Sequence, residues 1–136
     1  MQKEEIPIGA VIVKDGKVVA TGFNDREKTQ IATHHAEIIA IEKACKKLKS
    51  WRLDDCDLYV TLEPCPMCAG AILNARIKNL YYCVKDPSSG SISKFNMFEN
   101  TLNHTTNCIF LQKHEEKNKN IIQTFFRERR KNSRKS

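Results

Sequence analysis

Leu58-Tyr59-Val60-Thr61-Leu62-Glu63-Pro64-Cys65-Pro66-Met67-Cys68-Ala69-Gly70-Ala71-Ile72 reads as a strand that passes straight into a helix. Leu58 to Leu62 is a short run rich in β-favouring residues, of a length that suits a strand. From Pro64 to about Ala75 the pattern becomes helical, since proline is tolerated in a first turn where its missing N–H would go unused anyway. Cys65 and Cys68 then stand three apart at a helix start, a spacing that lets both sulfurs face the same way. A helix N-terminus also favours thiolate through its unpaired amides and partial positive charge. A Cys-x-x-Cys alone leaves three readings open: half of a structural zinc site, a redox pair, or a coincidence.

Upstream, Ile8 to Val13 and Val18 to Thr21 read as two strands. The Asp-Gly pair between them, in Lys14-Asp15-Gly16-Lys17, suits a tight hairpin. Polar residues from Asn24 to Thr33 form a loop, and a helix follows from about His35 to Lys49. In that helix Ile38, Ile41, Cys45 and Leu48 share one face at spacings of three and four. Downstream, Leu80 to Val84 is a buried-strand candidate, Asp86 to Ser93 a loop, Phe95 to Glu99 a short helix and Cys108 to Leu111 a last strand. A final helix is expected from about Glu115 to Arg130, where Ile121 pairs with Phe125 and Ile122 with Phe126. This order predicts a three-layer α/β domain, a sheet with helices on both faces.

The 136 residues suit one core, and 40% hydrophobic with 29% charged residues is a globular balance. No internal repeat or dividing linker is visible. The formal net charge of +7 favours a polyanionic partner without proving one. No segment resembles a signal peptide or a membrane span, and the expectation is a cytoplasmic protein with no membrane association. Six cysteines in a reducing compartment are poor disulfide candidates. Cys45, Cys56, Cys83 and Cys108 read as core residues.

Counting ligands separates the readings of the Cys-x-x-Cys. A structural zinc needs four protein ligands, yet there is no second Cys-x-x-Cys, and His34, His104 and His114 are scattered. A catalytic zinc takes three ligands plus water, which His35, Cys65 and Cys68 supply with one position open. The flanking prolines and the nearby His-x-Glu have no part in a redox pair. Glu37 follows His35 by two residues, which on a regular helix turns their side chains about 200° apart. In a first turn the constraint loosens: His35 reaches the metal while Glu37 reaches over the bound water, as a general acid/base beside the metal. His-x-Glu followed by Pro-Cys-x-x-Cys is the known signature of zinc-dependent nucleobase deaminases.

With these residues in view, the sequence resembles the bacterial tRNA-specific adenosine deaminases, which convert the wobble adenosine of an anticodon to inosine. The matching stretches are Glu5-Ile6-Pro7-Ile8-Gly9-Ala10-Val11, Gly22-Phe23-Asn24, His35-Ala36-Glu37-Ile38, the quoted segment from Leu58 to Ile72, Ala75-Arg76-Ile77 and Asn103-His104. Phe125-Phe126-Arg127-Glu128-Arg129-Arg130 looks like the family's closing helix. The resemblance implies a cytidine deaminase-like α/β/α sandwich around a mixed five-stranded sheet, usually as a homodimer. It implies one zinc ion per subunit, carrying a water or hydroxide, on His35, Cys65 and Cys68, with Glu37 as proton shuttle. By the same resemblance Asn24, the Ala36 amide and the Pro64 carbonyl meet the base. Arg127, Arg129 and Arg130 contact the phosphates of a tRNA anticodon stem-loop.

The sequence departs from the family in two places. A helix ordinarily precedes the Glu-Ile-Pro-Ile-Gly stretch, whereas Met1 stands almost at that stretch here. The expected organisation is a single deaminase domain over 1–130, in a chain that is either truncated or lacks that helix, then a basic, disordered tail over 131–136. The loop from Asp86 to Phe98 also lacks the family's Gly-Ser-Leu-Met pattern, so that Ser91 or Lys94 stands where a substrate-contacting residue is expected. Two alternatives remain open: a deaminase of a free base, nucleoside or nucleotide (cytosine, cytidine or guanine), and a non-catalytic zinc-stabilised RNA-binding module.

Overall fold

A computed structural model of the chain describes residues 9–24, 26–99 and 104–111. The elements are β1 (Gly9–Lys14), β2 (Lys17–Phe23), a single turn α1 (Arg26–Thr29), α2 (Ala36–Leu48), β3 (Cys56–Leu62), α3 (Pro66–Asn74), β4 (Asn79–Val84) and β5 (Asn107–Phe110). The five strands form one mixed sheet in the order β2-β1-β3-β4-β5. β1 pairs antiparallel with both β2 and β3, while β4 lies parallel to β3 and to β5. The Asp-Gly hairpin forms as expected, with Asp15 and Gly16 both at positive φ.

Strand alternation sorts the side chains between two cores. Ala10, Ile12, Leu58, Val60, Leu80 and Tyr82 join Ala36, Ala40, Ile41, Ala44, Ala69 and Ile72 of the two longer helices in one buried cluster. Val11, Tyr59 and Leu111, with Val13, Phe23, Tyr81 and Cys83 against them, form a second cluster on the opposite face. There the Tyr59 and Tyr81 rings stack 4.5 Å apart, and burial pushes the Tyr59 hydroxyl up to about 12. Helices α2 and α3 also touch each other, so both lie on the first face. The final helix expected over 115–130, the strand start at Ile8 and the residues Asn103, Arg127, Arg129 and Arg130 lie outside the described residues. Among the described residues no helix is long and apolar enough to cross a membrane.

Two local expectations change. The polar loop from Asn24 to Thr33 contains the turn α1. The short helix expected over Phe95 to Glu99 is replaced by turns. Their bonds run back to the preceding loop, from Lys94 N to Gly90 O (3.1 Å) and from Met97 N to Ser91 O (2.8 Å). Both are short-range bonds, and a single helical turn fixes too many dihedrals for the few bonds it gains to form on its own.

Helix α2 seats on β1 and β2 because Gly22 presents no side chain. A Cβ at Gly22 would run into the Ala36 carbonyl oxygen and stand 2.8 Å from the Ala40 amide nitrogen. Both atoms belong to the helix backbone and cannot swing aside. Gly22→Ala should therefore cost about 1–3 kcal/mol, measured as a lower urea midpoint. An unchanged midpoint would show that α2 does not need this approach.

Candidate active site

The ends of β3 and β4 and the start of β1 share one edge of the sheet, and the first turns of α2 and α3 meet there. Gly9 N donates to Thr61 Oγ1 (3.1 Å), tying the start of β1 to the end of β3. Beyond β3 the Glu63 amide donates to Val84 O (2.9 Å), so the ladder runs one residue further before Pro64 and Cys65 open α3. The carboxyl ends of parallel strands are the usual place for a site in such sheets.

Both helices begin in the same unusual way. His35 is the N-cap of α2 and Cys65 the N-cap of α3, both in extended backbone, and neither side chain caps its helix. An N-cap side chain that bonds the first turn is worth about 1 kcal/mol, so the usual stabilisation is missing at both ends. The two side chains turn to each other instead: Cys65 Sγ lies 3.7 Å from His35 Nδ1. Cys68 completes the group from the first turn of α3, fully buried, and the ligand atoms of His35, Cys65 and Cys68 all lie within 4.8 Å of one another. The structure thus brings together the three side chains singled out from the sequence, as a group able to hold a metal ion.

Glu37 occupies the first turn of α2, is 6% exposed, and hydrogen-bonds through its carboxyl to Cys68 and to its own backbone. Burial raises its carboxyl above the usual range, and the two hydrogen bonds offset part of that rise. Burial, with Glu37 and Cys65 alongside, also pushes the Cys68 thiol well up. Ala36 is buried, and as the first residue of α2 its N–H is among the donors that a helix leaves unused. Asn24 is exposed directly beyond β2, at the same sheet edge as Cys65.

Two residues expected near the base also tie the loop after β4 to this segment. The Pro64 carbonyl is buried and accepts from both Ser91 N (2.9 Å) and Ser91 Oγ (2.6 Å). Both bonds stay within the chain, so this carbonyl anchors a loop. Ser91, for the same reason, is buried and committed to Pro64, and does not stand free for substrate. Lys94 is exposed, with its ammonium 5.8 Å from the Phe95 ring centre.

Sequence reasoning missed Glu63. It is 2% exposed and accepts from Asp86 N (2.7 Å), Ile92 N (2.9 Å), Ser93 N (2.9 Å) and Ser93 Oγ. Burial pulls its carboxyl up, but the bonds from Ser93, Asp86 and Ile92 outweigh it and hold the carboxyl below its ordinary value. Nothing local marked this residue, because all its partners lie 23 to 30 positions away. His104, the other family-matched histidine, serves the fold: its Nε2 lies 2.8 Å from Ile77 O and 3.2 Å from Thr106 Oγ1.

The fold and this histidine–dithiol–carboxylate group together define a class, a hydrolytic deaminase with the cytidine deaminase-like fold. The MafB19-like deaminase family matches residues 1–130. A tRNA-specific adenosine deaminase of Agrobacterium fabrum is 43% identical over 95% of this chain and 86% of its own. The Bacillus subtilis protein of the same name is 42% identical over 96% and 81%. A structure from a study of A-to-I editing by tRNA:A34 deaminases at the wobble position of transfer RNA superposes with a TM-score of 0.72 at 44% identity, covering 79% of this chain and 85% of that one. A Bacillus subtilis guanine deaminase follows at 0.58 and 35%, covering 85% and 79%. The chain belongs to the family of the tRNA-specific adenosine deaminases.

Thiols must ionise to bind a metal. Titrating a divalent ion into metal-free protein should therefore release protons and raise Tm, while Cys65→Ser with Cys68→Ser should abolish both effects. Equal proton release from the double variant would show that the metal sits elsewhere.

Proposed function

We propose that the protein hydrolyses the wobble adenosine of a tRNA anticodon to inosine, using zinc held by His35, Cys65 and Cys68. One observation carries the reading: in a chain 42–43% identical to tRNA-specific adenosine deaminases, an imidazole and two thiols converge beside a buried carboxylate that is not one of the three. The donor set fits zinc. Bonds of about 2.3 Å to sulfur and about 2.0–2.1 Å to nitrogen put tetrahedral S and N ligands about 3.6 Å apart, against the observed 3.7 Å. Three protein ligands leave a fourth position for water, which is the pattern of a catalytic rather than a structural site. The chemistry such an ion supplies when bound is Lewis acidity, which makes water acidic enough to lose a proton near pH 7.

Glu37 takes that proton and delivers it to the ring nitrogen beside the carbon that bears the amino group. The water oxygen bonds to that carbon. Glu37, ionised again, takes the remaining proton from the new C–OH group and passes it to the departing amine. The C=O bond forms, the C–N bond breaks and ammonia leaves. One carboxyl serves both transfers because it sits beside the donor set, on the next residue but one after His35. The Ala36 amide and Asn24, both at the same sheet edge, are proposed to meet the flipped-out base. Arg127, Arg129 and Arg130 are proposed to meet the phosphates of the anticodon stem-loop. The family resemblance supports a cytoplasmic homodimer.

The test is inosine formation by zinc-loaded protein in an anticodon stem-loop starting with adenosine at the wobble position, beside free cytidine and guanine. Reaction of the free compounds alone would overturn the RNA reading. Glu37→Ala should retain zinc and lose turnover by at least about a hundredfold. Turnover that survives this substitution would remove Glu37 as the shuttle.

A further inference from the structure

The loop after β4 is bound to the segment between β3 and α3 at two adjacent residues. Glu63 collects the amides of Asp86, Ile92 and Ser93 and the Ser93 hydroxyl, thereby closing both ends of the loop on one carboxylate. Pro64, the next residue, receives both donors of Ser91. Cys65 follows, with its sulfur 3.7 Å from His35.

A buried carboxylate costs several kcal/mol unless its oxygens are satisfied. No ion pair involves Glu63 among the described residues, so hydrogen-bond donors alone compensate the charge. Charge-assisted bonds of this kind are roughly twice as strong as neutral ones. The loop is also shaped to fit the carboxylate. A Cβ at Gly90 would run into the Glu63 carboxyl carbon and Oε2, and into Asp86 O. Gly90 N donates to Asp86 O (2.7 Å), completing a turn wrapped around the acid.

We propose that Glu63 is a positioning residue for the metal site: its carboxylate holds the 86–93 loop and the Pro64–Cys65 peptide as one unit beside the ligands. Loosening the carboxylate frees the loop at both ends, and Ser91 then no longer holds the peptide that leads into Cys65. The effect reaches the donor set through Cys65 and reaches substrate through the loop beside it. This rests on the reading of His35, Cys65 and Cys68 as zinc ligands.

Glu63→Gln tests it. An amide keeps one acceptor oxygen but turns an NH2 group toward amide donors, whichever way it is rotated. Zinc affinity, measured by competition with a chromogenic chelator, should fall by about tenfold. KM for the stem-loop should rise, with kcat at saturating zinc less affected. Ser93→Ala, which removes one donor and leaves the three amides, should shift both quantities in the same direction by less. A lower Tm with unchanged zinc affinity and KM would mean that Glu63 only stabilises the fold, and would overturn the proposal. If Glu63→Gln does not fold, Ser93→Ala decides by the same two readouts: weaker zinc binding supports the role, and wild-type values overturn it. Wild-type protein that takes up no zinc would overturn the ligand assignment itself, and the failing control separates that outcome from a failure of Glu63 alone.

Discussion

Two helix N-termini converge over the end of one strand, and their N-cap residues carry side chains that could hold a metal ion. At most helix starts a short polar side chain satisfies the free amides. His35 and Cys65 hold those positions here, and neither side chain bonds the first turn. The pair is tolerable because each helix is already held by burial: Ala36, Ala40 and Ala44 on α2, and Cys68, Ala69 and Ile72 on α3, are all inside the core. The small residues on α2 let it approach the sheet, and Gly22 lets it come closer still. Packing thus supplies the stability that capping would have given, and local rules of this kind are most often broken at functional positions.

The same placement explains the electrostatics. The partial positive charge at the start of α3 favours ionised sulfur at Cys65 and Cys68, against burial, which pushes the Cys68 thiol up. A metal cation bound there would resolve that opposition, since it needs the thiolate that burial resists. Glu37 sits in the first turn of α2 close enough to bond Cys68, so its carboxyl shares the site without supplying one of the three donors.

The loop after β4 shows what a sequence pattern leaves out. Glu63 lies inside the stretch whose reading decided the fold, yet its role comes from residues in another part of the chain. Ser91, expected near the substrate from its place in the loop, is buried and bonded to the Pro64 carbonyl. The turns over 94–98 stand where a helix was expected, with Lys94 N and Met97 N bonded back to Gly90 O and Ser91 O. For Glu63 and Ser91 a long-range hydrogen bond sets the role.

On α2, periodicity placed Ile41 in the core but not Ala36, Ala40 and Ala44, which make most of the buried face there. Local periodicity and spacing were sufficient for the strand–helix junction at Leu62 to Pro66 and for the Asp-Gly hairpin. Each depends on residues within one or two turns of one another. The candidate donor set was legible too, because one histidine and two cysteines with a neighbouring carboxylate have few other uses. The tertiary structure alone decided that α2 and α3 share one face of the sheet, that Gly22 is the point of closest approach, and that Glu63 gathers a distant loop. Those outcomes depend on which surfaces meet after the chain has folded back on itself, and pairings between residues 23 to 30 positions apart leave no period in the sequence.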